Sequence, residues 1–272
     1  MNRIHIPTAS FISIEHRELL TAACRAALGA GQLIKERYDQ PHDITMKGTI
    51  NLVTEADLAA ESAIVASLHT DTPDLLVMAE ESATTHKPGG ANRFWVVDPL
   101  DGTTNFAHGF PFFAVSIAFL EKGKPLVAAV YAPLFDELFC ASKRGGAWLN
   151  GRPIRVTETQ DLLESLIGTG FPYERDQTLS DVMRQLEAVI ARVRDVRRAG
   201  AAALDLAYVA CGRLDGFYEI NLQPWDTAAG WLLVTEAGGH ITDFSGGDYS
   251  PFLPAILASN GKLHQSLLQL LQ

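Results

Sequence analysis

The segment that most constrains this chain is an apolar run ending in two closely spaced aspartates, Trp95-Val96-Val97-Asp98-Pro99-Leu100-Asp101-Gly102-Thr103-Thr104-Asn105-Phe106. Its first part reads as a buried β-strand, and Pro99 fixes the backbone between the acids so that both carboxylates face one point. Two carboxylates in so small a space repel, and one takes up a proton unless a cation intervenes. A divalent ion with hard oxygen donors removes the conflict, which makes magnesium the natural expectation. Behind the acids, Gly102 admits close backbone approach by an anion, and the amides and hydroxyls of Thr103 and Thr104 are donors for it. Asp-Gly-Thr by itself is also an ordinary turn. The reading therefore rests on the full run and on acids elsewhere.

The 272 residues, 47% of them hydrophobic, are enough to bury a large core as one big domain or two closely joined lobes. Apolar stretches such as Phe112 to Val115 and Ile117 to Leu120 fall well short of the ~20 residues a membrane helix needs. Met1-Asn2-Arg3-Ile4-His5-Ile6-Pro7 lacks the apolar core of a signal peptide, so a cytoplasmic location is expected. The formal charge of −10 argues against a broad nucleic-acid or anionic-membrane surface and for a small phosphorylated metabolite held through metal. Cys24, Cys140 and Cys211 stand singly, which reads as buried free thiols. The eight histidines are dispersed without a zinc pattern, and His108 reads as a loop histidine bonded locally.

Helical spacing of apolar residues predicts a helix from about Arg17 to Tyr38. Thr54-Glu55-Ala56-Asp57 has the spacing of a capping box opening a second helix through Leu68, with Asp57 in its first turn. Leu75 to Met78 and Phe94 to Val97 read as strands, each ending in acid: Glu80-Glu81 and Asp98. From Phe112 to Leu149 the β-type runs are broken at Lys122 to Pro125, Ala132-Pro133 and Arg144 to Gly146, as an antiparallel meander requires. Beyond Ser165 strands at Leu166 to Thr169, Val193 to Val196, Gly216 to Ile220 and Ile256 to Ala258 alternate with helices near 179–191, 201–211 and 226–237. The expectation is an α+β lobe, 1–158, followed by an α/β lobe, 159–272, packed as one unit with the active site between them.

Asp57, Glu80-Glu81, Asp98 with Asp101, and Asp226 in Trp225-Asp226-Thr227-Ala228-Ala229-Gly230 now form a set. With Leu52-Val53-Thr54, Gly170-Phe171-Pro172-Tyr173 and Arg197-Arg198-Ala199-Gly200, it resembles the inositol monophosphatase family along nearly the whole chain. The resemblance implies a layered α-β-α-β-α sandwich of the sugar phosphatase type, two or three magnesium ions, lithium sensitivity and a homodimer. It implies that Glu80, Asp98 and the Leu100 carbonyl hold a first ion and Asp98, Asp101 and Asp226 a second, with Glu80 shared by a weaker third. Thr103 with Asp57 would then orient or deprotonate the attacking water, and the amides of Gly102 and Thr103 would hold phosphate oxygens. Substrate hydroxyls would meet Asp101, Glu219 and the backbone from Gly200 to Ala202. Glu219 also reads as a strand-end surface acid, and Lys47 either as a solvated loop lysine or as part of a loop closing over the metals.

Two positions depart from the family pattern. Ala201 stands where Ser or Thr is common, and Asn51 where Asp is common. The expected activity is hydrolysis of a small phosphate monoester, foremost myo-inositol 1-phosphate. Fructose 1,6-bisphosphate, histidinol phosphate and NADP are the related alternatives. A protein-interaction role on a retained phosphatase fold is the alternative of another class.

Overall fold

The computed structural model describes residues 13–48, 50–82, 90–173 and 178–272; the N-terminal reading of Met1 to Pro7 lies outside them. Helix α1 (Ile14–Arg37) starts where the Ser13 hydroxyl accepts the His16 amide, and its buried face is largely alanine. Small side chains let it lie close to the sheet beneath. At Gly31 even a methyl group would collide with the Tyr131 ring.

A hairpin, β1 (Ile44–Met46) and β2 (Leu52–Thr54), leads into α2 (Glu55–Asp71). The capping box is formed as expected, with Thr54 and Asp57 bonded reciprocally. Strand β3 (Leu76–Ala79) runs parallel to β4 (Arg93–Asp101), and the short α3 (Thr103–Ala107) follows directly. The meander is β5 (Ala114–Glu121), β6 (Lys124–Ala132), β7 (Glu137–Ser142), β8 (Gly146–Leu149) and β9 (Arg152–Pro153), giving a seven-stranded sheet in the order β3-β4-β5-β6-β7-β8-β9. Its turns at Lys122-Gly123 and Asn150-Gly151 have positive φ at both residues, the twist that tight hairpins prefer.

After a 3-10 turn at Leu162–Glu164 the chain alternates: β10 (Leu166–Thr169), α4 (Leu179–Ile190), β11 (Asp195–Arg197), α5 (Ala202–Ala210), β12 (Gly216–Ile220), α6 (Pro224–Glu236). It ends in β13 (His240–Thr242), β14 (Ala255–Ser259) and α7 (His264–Leu271). The second sheet has the order β11-β10-β12-β14-β13, with β14 antiparallel to both neighbours. The strand expected at 193–196 begins two residues later, because Val193 is packed beneath α4 rather than paired.

Side-chain alternation along the strands divides the core into layers. In β4, Trp95 and Val97 pack with α1 and α2, while Phe94 and Val96 face α5 and α6. In β12, Phe217 joins that central layer and Tyr218 packs with Val189 of α4 and Leu267 of α7. The result is the expected α-β-α-β-α sandwich, with α5 and α6 between the two sheets. Cys24 and Cys140 are buried, Cys211 is half-buried, and all three are free. Among the described residues no helix is long and apolar enough to cross a membrane.

Candidate active site

Residues three apart on a regular strand face opposite sides of the sheet. Asp98 pairs with Ser116 and Asp101 with Ala114, so β4 advances three residues while β5 advances two. This bulge, at the Pro99 that has no N–H to give the ladder, brings both carboxylates to one side. Asp98 Oδ1 accepts the Leu100 amide at 3.0 Å. Gly102 then turns the chain at φ +95°, where an added methyl would sit 3.0 Å from the Phe112 carbonyl and 3.1 Å from Ala201 Cβ. Only glycine suits both the conformation and the space.

Asp226 is the third residue of α6, where its Oδ2 accepts the Gln223 amide at 2.6 Å. One oxygen each from Asp98, Asp101 and Asp226 lies within 4.8 Å of the others. Asp101 Oδ2 also accepts the Ala203 amide at 2.7 Å, so the end of β4 is tied to the first turn of α5. Burial pushes Asp98 well above the usual carboxylate range, reinforced by Glu80, Asp101 and Asp226. Burial likewise lifts Asp101 and Asp226 to about 7. Two buried acids and a half-buried third make a donor set of hard oxygens whose charge a divalent cation would neutralise. The residues present therefore fit such an ion.

Glu80 stands beside this trio but is not one of the three converging acids. Its Oε1 lies 3.0 Å from Lys47 Nζ, which also meets Glu81 Oε1 at 2.6 Å. Lys47 is thus no solvated loop lysine; the β1–β2 turn carries it onto the acids. Asp57 is fully buried. Its Oδ2 accepts from the amide and hydroxyl of Thr54 at 2.8 and 2.6 Å, and its Oδ1 accepts from the Thr103 hydroxyl at 2.9 Å. Thr103 Oγ1 is also 3.0 Å from the Leu100 carbonyl, so one proton is shared between two acceptors.

These groups open onto a cavity of about 960 Å³ lined by Glu80, Asp98, Asp101, Gly102, Thr103, Gly200, Ala202, Glu219 and Asp226 and by apolar residues including Phe171, Trp225 and Phe252. Glu219 is no surface acid: it is buried, and burial lifts its carboxyl to about 8. Gly170 leaves the space it occupies, since a methyl there would overlap Glu219 Oε2. His108 is exposed at the end of α3, its backbone N–H bonded to the Thr104 carbonyl.

Two contributors escaped the sequence reading. Thr54 supplies two of the three hydrogen bonds that hold Asp57, and its position in the capping box was the available signal. Asn105 Nδ2 reaches the carbonyls of Phe112 at 2.6 Å and Ala199 at 2.9 Å, pinning the 199–200 backbone beside the acids. Nothing local in the sequence announces that second contact.

The model of the inositol monophosphatase family matches residues 15–272. The Nus factor SuhB of Pseudomonas aeruginosa is 45% identical over 259 residues, spanning 93% of this chain and 96% of that protein. Among solved structures, the extragenic suppressor protein suhB of Bartonella henselae superposes with a TM-score of 0.89 at 40% identity, covering 93% of this chain and 98% of the other. The inositol monophosphatase of Anabaena does so at 0.86 and 37%, covering 94% and 96%. The order of acids along the sequence, their convergence in space and these likenesses agree: the chain belongs to the inositol monophosphatase family.

Proposed function

We propose that the protein is a magnesium-dependent phosphatase that hydrolyses a small phosphate monoester, with myo-inositol 1-phosphate the leading substrate. The observation that supports it is the convergence of Asp98, Asp101 and Asp226 next to the Thr103–Asp57 pair at the floor of one cavity. On this reading Asp98, Asp101, Asp226, Glu80 and the Leu100 carbonyl hold two or three ions. When bound, such ions supply a more acidic water and neutralise charge on the leaving alkoxide.

The chain's own groups do the rest. Asp57, fixed on its far oxygen by Thr54, draws the Thr103 proton toward Oδ1 and leaves the Thr103 lone pairs free to accept a proton from water. As water attacks phosphorus in line with the ester oxygen, that proton passes toward the Thr103–Asp57 pair, the P–O ester bond breaks with its electron pair on the ester oxygen, that oxygen takes a proton from solvent water, and alcohol and phosphate leave while the pair returns its proton to solvent. The amides of Gly102 and Thr103 hold phosphate oxygens through the attack. Glu219, Asp101 and the backbone from Gly200 to Ala202 receive substrate hydroxyls. Because Asp226 and Glu219 come from the segment 159–272 and Asp57, Glu80, Asp98 and Asp101 from 1–158, the two lobes act as one unit. Lys47 holds Glu80 through Oε1, so Glu80 would ligate through its other oxygen or by displacing the lysine. A cytoplasmic homodimer completes the proposal.

Purified protein assayed on phosphorylated sugars, polyols and nucleotides, with magnesium and with chelator, tests this reading through kcat/KM. Turnover that needs magnesium and is lost in Asp98→Asn is expected; turnover unaffected by either would defeat it. A second reading, a protein-interaction role on the same fold, is favoured by the name Nus factor borne by relatives 43–45% identical. Asp98→Asn separates the two, since a binding role survives loss of hydrolysis.

A further inference from the structure

Five carboxylates line the cavity: Glu80, Asp98, Asp101, Glu219 and Asp226. Among the described residues Arg198 is the one cationic side chain that lines it with them. Its guanidinium carbon lies 5.3 Å from the centre of the Phe171 ring. Its Nη1 is folded back over the main chain, 2.7 Å from where a methyl on Gly200 would sit. The guanidinium thus lies against the Phe171 ring in space that Gly200 leaves, and Gly200, at φ +88°, provides both the turn and the room.

The neighbouring Arg197 is engaged by Asp195 at 2.6 Å, whereas among the described residues no carboxylate lies within ion-pairing distance of Arg198. Its charge acts on the buried carboxyls of Glu219 and Asp205 without an ion-pair contact to either. Gly200 also leads into α5, whose Ala203 amide holds Asp101. The guanidinium therefore stands on the wall of the acid trio, one short stretch of backbone away. A planar fork with no carboxylate partner among the described residues is suited to bidentate recognition of phosphate or carboxylate oxygens.

Resting on the phosphatase reading above, we propose that Arg198 sets specificity by extending the site's range beyond myo-inositol 1-phosphate to phosphate monoesters carrying a second anionic group that Arg198 binds. Fructose 1,6-bisphosphate probes a second phosphate, 6-phosphogluconate a carboxylate, and myo-inositol 1-phosphate neither.

The test compares kcat/KM for all three in the wild type, Arg198→Gln and Arg198→Lys, with thermal unfolding as a check on folding. In Arg198→Gln the ratio of kcat/KM for a two-anion substrate to that for myo-inositol 1-phosphate falls at least about tenfold, through KM, and Arg198→Lys restores part of it. A fall for the bisphosphate alone identifies phosphate as the second group, and a fall for 6-phosphogluconate alone identifies carboxylate. An unchanged ratio, or equal loss on all three substrates, overturns the proposal. Equilibrium titration of wild type and Arg198→Gln with the bisphosphate and with 6-phosphogluconate, in chelator, reads the same contact without turnover. If the wild type hydrolyses none of the three, the phosphatase reading fails; weaker binding of either ligand by Arg198→Gln then upholds the Arg198 contact, and equal binding of both overturns it.

Discussion

The hydroxyl of Thr103 donates to Asp57 Oδ1 across 2.9 Å, although the two residues are 46 positions apart in the chain and sit at the starts of different helices. Removing either partner breaks this contact, while Thr103 keeps the Leu100 carbonyl and Asp57 keeps its two bonds from Thr54. Thr103→Val and Asp57→Asn should each lower kcat by about 10²–10⁴-fold, the range typical of a lost general base, with a smaller change in KM. Steady-state kinetics on one phosphate monoester decide it, and the double variant should lose little more than the worse single one.

The acid trio makes the metal-free protein sensitive to pH in an unusual direction. Asp101 and Asp226 are raised from ordinary carboxylate values to about 7, burial being the first cause. A group whose pKa is higher folded than unfolded contributes stability that is complete below its unfolded value and is lost as pH rises through its folded value. Without metal the melting temperature should therefore fall as pH rises from about 4 to about 7, and added magnesium should reverse the fall. Calorimetry across that range, with and without magnesium, would show a flat profile if the two carboxyls kept their ordinary pKa values on folding.

Lys47 neutralises Glu80 and Glu81 through Nζ contacts of 3.0 and 2.6 Å. It therefore competes with any cation for Glu80. Lys47→Gln should lower the half-saturating magnesium concentration several-fold while making the metal-free fold less stable. A magnesium titration of activity in which half-saturation stayed level or rose would count against this.

Gly170 and Glu219 are matched by shape. In Gly170→Ala the new methyl must displace the Glu219 carboxylate, so KM for a polyol phosphate should rise about tenfold with kcat less affected. Glu219→Gln should move KM in the same direction. If only the glycine variant did so, the contact would be one of packing rather than substrate recognition.

Membership of the family leads us to expect inhibition by millimolar lithium. Initial rates measured across a lithium series at fixed magnesium provide the check, and flat rates would show that this chain departs from its relatives.

Much of the layered fold was legible because burial imposes a period on the sequence. The alanine-rich face of α1, the capping box at Thr54 and the alternation in β4 and β12 each report a local constraint. The hairpin β1–β2 was not, since its first strand is exposed throughout and so carries no alternation. Helix α3 is only five residues long, too short for periodicity to register.

By itself the sequence determined which acids this protein has, in what order, and that Asp98 and Asp101 end a buried strand. Those are properties of residue type and spacing. The family resemblance grouped Asp226 with them, but tertiary structure alone decided that Asp101 is tied to α5, that Lys47 is held by Glu80 and Glu81, and that Arg198 faces the same cavity. The reason is that each of these contacts spans residues far apart in the chain. Their distances depend on how the two sheets pack around α5 and α6, which no local pattern encodes.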